Sequence, residues 1–197
     1  RTYTVLLPNS YHQQTEQTYP VMFLLDGENN QKYSYAITGF LSENGVGPEL
    51  ITVAIHAGAT RQMDYLPFNP QTGEDMPGAN NYLKFISKEL MPVINQQYRV
   101  APYKILSGHS YGGLFATYAM LKQPELFDAY ITQSPYFDQV VSKNIIDMLK
   151  TFSEQDLKKS IFYYFNLGDE PSLKQGYEKV SEWLTSHAPD NFRWQHN

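Results

Sequence analysis

The chain has 197 residues, 42% hydrophobic and 18% charged, with 15 Lys and Arg against 20 Asp and Glu for a formal net charge of −5. That balance suits one globular domain with a sizeable core, and it excludes a nucleic-acid binder, whose target phosphates need clustered cations. The lack of cysteine excludes disulfides, thiolate metal sites and a cysteine nucleophile, and no apolar stretch approaches the roughly 20 residues that span a bilayer.

Thr2 to Leu7 alternates apolar and polar residues and stops at Pro8, a strand pattern. Val21 to Leu25, "VMFLL", is a continuous apolar run of the kind that a strand covered on both faces needs, and it breaks at "DGENN". Ile51 to Ile55 is a third strand. Ala57 to Gly78 lacks apolar periodicity and is rich in Pro and Gly, so a long loop at the rim of a site is expected. Tyr82, Leu83, Phe85, Ile86, Leu90, Val93 and Ile94 then recur at helical spacing, with Asn80 or Asn81 as cap and a kink at Pro92. Strand patterns follow at Tyr103 to Leu106, Ala129 to Thr132 and Ile161 to Phe165. Leu173, Tyr177, Val180 and Leu184 mark an amphipathic helix, and Phe192, Trp194 and His196 alternate in a last strand.

Strands alternating with helices predict an α/β fold over residues 1–197: a mostly parallel twisted sheet with helices on both faces. Ligands of such sheets bind beyond the carboxyl ends of the strands. Three loops there stand out: "LLDGENN", "LSGHSYGG" and "FNLGDEPS".

The second holds Gly108-His109-Ser110-Tyr111-Gly112, which matches G-x-S-x-G, the nucleophile elbow. A strand that turns into a helix within a few residues pushes its serine hydroxyl out at the apex. It also crowds the positions two residues away, where only small side chains fit. The following "LFATYAMLKQ" is rich in helix formers, and its dipole points at the serine. The backbone N–H of Tyr111 is the oxyanion donor that such an elbow offers.

The segments "RTYTVLLP", "YPVMFLLDGENN", "ELITVAI" and "NLGDE", and above all "GHSYGGLFATYAMLKQPELFDAYI", resemble the putative-esterase family of α/β-hydrolases. That family includes esterase D, the enterochelin esterases and the antigen 85 mycolyltransferases. The resemblance implies the α/β-hydrolase fold and serine-dependent ester cleavage or transfer on a small-molecule ester, with no metal or organic cofactor. It also implies the Glu28 amide as second oxyanion donor, with Gly27 letting the backbone approach the substrate. Arg61 and Asp64 match the family's R-x-x-D pattern and are expected to form an ion pair anchoring their loop. Tyr65, Phe68 and Tyr111 are candidate linings of the acyl or alcohol site.

In this fold the acid and then the histidine follow the serine. Asp169 and Glu170 both lie after a later strand; the resemblance favours Glu170, with Asp169 as the alternative. Of five histidines, His12 and His56 precede the serine, His109 occupies the elbow and is expected to point away from it, and His187 suits a helix C-terminal cap. His196 remains as a candidate base. The family's base follows the last strand and precedes a closing helix, so the expectation is that residues 1–197 lack both. The function expected is a serine esterase; alternatives are an acyltransferase and a non-catalytic binding module on the same fold.

Overall fold

In the computed structural model, which describes residues Arg1 to Asn197, the apolar runs become seven strands of one sheet. They are β1 (Tyr3–Leu6), β2 (Tyr19–Leu24), β3 (Ile51–Ile55), β4 (Val100–His109), β5 (Ala129–Gln133), β6 (Ile161–Asn166) and β7 (Phe192–His196). The order is β1-β3-β2-β4-β5-β6-β7, parallel throughout except for β1 against β3. Seven α-helices connect them: α1 (Gly27–Glu43), α2 (Arg61–Tyr65), α3 (Pro77–Phe85), α4 (Met91–Gln97), α5 (Tyr111–Lys122), α6 (Val141–Ser153) and α7 (Pro171–His187). The continuous apolar run of β3 is explained by burial of all five of its residues.

The order reverses between β2 and β4. From β2 the chain crosses through α1 to β3 on one side; from β4 it crosses through α5 to β5 on the other. A crevice opens at the carboxyl ends of two adjacent parallel strands whose crossovers diverge in this way. Leu24 pairs with Ser107, and the Leu25 N–H donates to the Ser107 carbonyl at 2.9 Å. The "DG" turn and the serine elbow are therefore neighbours in space.

Several expectations need correction. The Ala57–Gly78 stretch is not structureless: it contains a 3₁₀ turn at Gly58–Thr60, α2, and a bridge between Phe68 and Asp75. The next helix starts at Pro77 after Met76, earlier than a cap at Asn80 or Asn81, because Pro suits the first helical turn. Its irregularity is a π turn at Ile86–Leu90, immediately before the turn that holds Pro92. "DGENN" is not a free loop, since α1 starts at Gly27. Only Gly27 of α1 is buried, so that helix has no apolar stripe to betray it.

Candidate active site

Three residues other than glycine have positive φ: Asp26 (53°), Ser110 (56°) and Ser134 (42°). They follow β2, β4 and β5, three neighbouring strands, at the same edge of the sheet. Each such conformation costs on the order of 1–3 kcal/mol and persists only where its surroundings impose it. At Ser110 (φ 56°, ψ −119°) the constraint is visible. Its N–H donates to the Gln133 carbonyl at 3.0 Å, and its own carbonyl accepts from Leu114 at 3.0 Å and Tyr136 at 3.2 Å. The hydroxyl is thereby held at the start of α5, where the Tyr111 and Gly112 amides have no intrahelical acceptor.

The glycines differ in what they permit. A Cβ on Gly108 collides with the Gly112 carbonyl group, standing 2.5 Å from its carbon, and lies 2.9 Å from Leu25 Cδ1. One on Gly112 only touches Asp26 Oδ2 at 3.3 Å and Leu25 Cβ at 3.4 Å. Gly27 is needed for a reason other than substrate approach: a Cβ there meets the β3 backbone at Ala54 C, 2.5 Å, and Ile55 N, 2.8 Å. Close packing of α1 on β3 is what sets the turn.

Glu28, second residue of α1, accepts from the Ala57 N–H at 3.1 Å and the Gly58 N–H at 3.0 Å. Partial burial pushes its carboxyl up, but the N–H groups of Gly58, Glu28 itself and Ala57 outweigh that and hold it below the usual carboxylate range. The Glu28 amide opens a helix and has no intrahelical acceptor; its own carboxylate is a local partner.

Arg61 does not pair with Asp64. It donates from Nε and Nη2 to Asp26 Oδ1 and Oδ2 at 2.6 and 2.8 Å, while Asp64 pairs with Arg1 and accepts from Thr60 Oγ1 at 2.7 Å. The hydrogen bond to Asp26 raises the Arg61 guanidinium above its ordinary value despite its burial. Tyr65 and Phe68 do not line the crevice. Tyr65 is fully buried, stacks on Phe115 and receives the Asp26 N–H at 3.1 Å; Phe68 packs edge-on to Tyr118. Tyr111 is half-buried and meets Tyr136 edge-to-face at 4.8 Å between centroids.

Of the adjacent carboxylates, Asp169 is exposed while Glu170 is half-buried at the N-cap of α7. Glu170 Oε2 is buried without a hydrogen-bond partner. The Gly168 N–H beside it goes to Ser134 Oγ at 3.1 Å, which ties the ends of β5 and β6 together. His196 is not brought to Ser110. It ends β7, three strands from β4, or about 14 Å sideways. Its ring stacks on Phe165 and Trp194, with Nδ1 3.3 Å from Tyr177 Oη. His56 meets Thr4, and His187 meets the Trp183 carbonyl in the last turn of α7. His109 is exposed and lines a hollow with Met22, Tyr33 and Ile131. Sequence reading gave no role of their own to Asp26, Ser134 and Tyr136; the one local signal was a polar residue close after β2 and β5.

A family model described as "Putative esterase" matches residues 1–196. The ferri-bacillibactin esterase BesA of Bacillus subtilis is 30% identical over 156 residues, which is 68% of this chain and 54% of that protein. The siderophore triacetylfusarinine C esterase of Aspergillus fumigatus is 38% identical over 60 residues, 29% of this chain and 20% of the other. Among solved structures, an IroE-like serine hydrolase from Shewanella oneidensis matches with a TM-score of 0.83 at 29% identity, covering 99% of this chain and 67% of its own. This chain spans about half the length of the Bacillus relative.

Proposed function

The chain belongs to the putative esterase family, and from that membership we propose that it is a serine-dependent carboxylic ester hydrolase with Ser110 as nucleophile. The observation that carries the reading is the Ser110 backbone. A non-glycine residue is held at φ 56° on the turn from a central strand into a helix, at the reversal point of the sheet.

Ser110 Oγ adds to the ester carbonyl carbon as its proton passes to a base. The carbonyl oxygen takes the negative charge and is met by the Tyr111 and Glu28 amides, two donors aimed where charge develops. Collapse breaks the ester C–O bond, and the alcohol leaves with the proton from the base. Water then repeats the sequence on the acyl-enzyme and restores the serine. None of the five histidine rings hydrogen-bonds the Ser110 hydroxyl. The base is then a histidine outside residues 1–197, oriented by Glu170, whose Oε2 is free to accept an imidazole N–H. The names of the relatives point to siderophores, so the substrate proposed is an ester bond of a siderophore-type molecule.

The test is fluorophosphonate labelling and ester turnover by the full-length protein, with Ser110→Ala beside it. Labelling at Ser110 and hydrolysis, both lost in Ser110→Ala, are expected. Turnover that survives Ser110→Ala refutes the assignment, and transfer to added alcohol exceeding hydrolysis replaces it with an acyltransferase.

A further inference from the structure

Arg61 has no part in the chemistry described so far, yet it bonds a residue close before each half of the proposed oxyanion hole. Its guanidinium makes the bidentate bond to Asp26, directly before Gly27 and Glu28. Nη2 also reaches the His109 carbonyl of the elbow at 3.4 Å. Its planar face lies against the rings of Tyr65 and Tyr111, at 5.5 and 5.3 Å from Cζ to centroid. Nε and Nη2 between them engage both oxygens of the Asp26 carboxylate.

Asp26 is a hazard to the chemistry proposed here. It is 4% exposed, and Oδ2 stands 3.3 Å from where a Cβ of Gly112 would be, so the carboxylate faces the first turn of α5. The oxyanion forms at the amide of that same turn. A buried anion there opposes a second one through a medium of low dielectric, where an unscreened charge a few Å away acts strongly. The polar N–H of Asp26, held by Tyr65 Oη, helps fix the left-handed turn but neutralises nothing.

We propose that Arg61 is a positioning residue of the oxyanion hole: by pairing with Asp26 it cancels that carboxylate's charge and lets the Tyr111 and Glu28 amides stabilise the transition state. The inference rests on the serine-esterase reading, and the experiment separates the two. In the full-length protein, kcat and KM for an uncharged ester are measured for wild type, Ser110→Ala, Arg61→Met and the double variant Asp26→Asn/Arg61→Met. Arg61→Met is expected to lower kcat by about 100-fold, the scale of one lost oxyanion donor, with KM nearly unchanged. The double variant, in which neither charge of the pair remains, is expected to return to within about tenfold of wild type, since contacting residues couple. A purely structural Arg61 predicts a raised KM alongside the lowered kcat, because a distorted crevice binds the ester less well. Wild-type kcat in Arg61→Met, or a double variant no faster than the single one, overturns the inference while loss in Ser110→Ala leaves the esterase standing. Full activity in Ser110→Ala overturns both. If Arg61→Met does not fold, Arg61→Lys carries the test: it keeps the charge, so kcat near wild type is expected, and a 100-fold loss refutes charge cancellation.

Discussion

Gly108→Ala isolates the geometry on which Ser110 depends. The new Cβ starts 2.5 Å from the Gly112 carbonyl carbon, and ordinary contact needs about 3.4 Å, so roughly 0.9 Å must be found. Leu25 Cδ1 at 2.9 Å blocks retreat in another direction, and both obstacles are buried. The first turn of α5 therefore has to lift away from β4, taking the Tyr111 amide with it. Overpacking of this kind costs about 1–3 kcal/mol, or about 2–4 °C of Tm per kcal/mol in a chain of this size. A displacement near 1 Å of a group that must meet a transition state costs about 100-fold in rate. Thermal unfolding and the rate of fluorophosphonate labelling at Ser110 read the two effects separately. Gly112→Ala is the control, because its Cβ needs only a few tenths of an ångström, and it should fall well short of Gly108→Ala in both assays. Gly108→Ala with wild-type stability and labelling would refute the crowding argument.

Ser110→Gly removes the side chain that makes φ 56° costly; stability is expected to rise by about 1 kcal/mol while labelling disappears, and a lower Tm would contradict the strain. Glu170→Gln is expected to lower kcat of the full-length protein by at least about 100-fold without lowering Tm, because Oε2 has no hydrogen bond to lose. Asp169→Asn should leave kcat unchanged, and the reverse pattern would make Asp169 the acid. Alkali should unfold the protein steeply. Burial raises the phenols of Tyr65, Tyr82, Tyr130 and Tyr163 above their ordinary value, and pushes Tyr177 up to about 12. The folded state then holds protons that the unfolded chain releases from about pH 10. Stability is complete below that pH and is lost as pH climbs through the raised values. Urea unfolding at pH 8 and pH 11 checks this, and equal stability at the two would refute it.

The parts of the site legible in the chain were those coded by neighbours in sequence. The elbow is one, since a serine ringed by glycines between an apolar run and helix formers has a single mechanical reading. The α7 face was equally open to view: Leu173, Tyr177, Val180 and Leu184 stand about one turn apart, and all are buried. By contrast α1 offered no stripe, having only Gly27 buried. Local pattern could narrow the candidate acid to two adjacent residues, but not tell that Glu170 is half-buried while Asp169 is exposed.

Sequence alone determined that a mostly parallel sheet carries a serine on the turn after one strand, because backbone periodicity and turn chemistry are short-range. Tertiary structure decided the company that serine keeps. Arg61 chose Asp26, 35 residues away, over Asp64 three residues along, and His196 was carried three strands off to Tyr177. Those outcomes follow from strand order, which sets the distances between loops and appears nowhere in the spacing of residues along the chain.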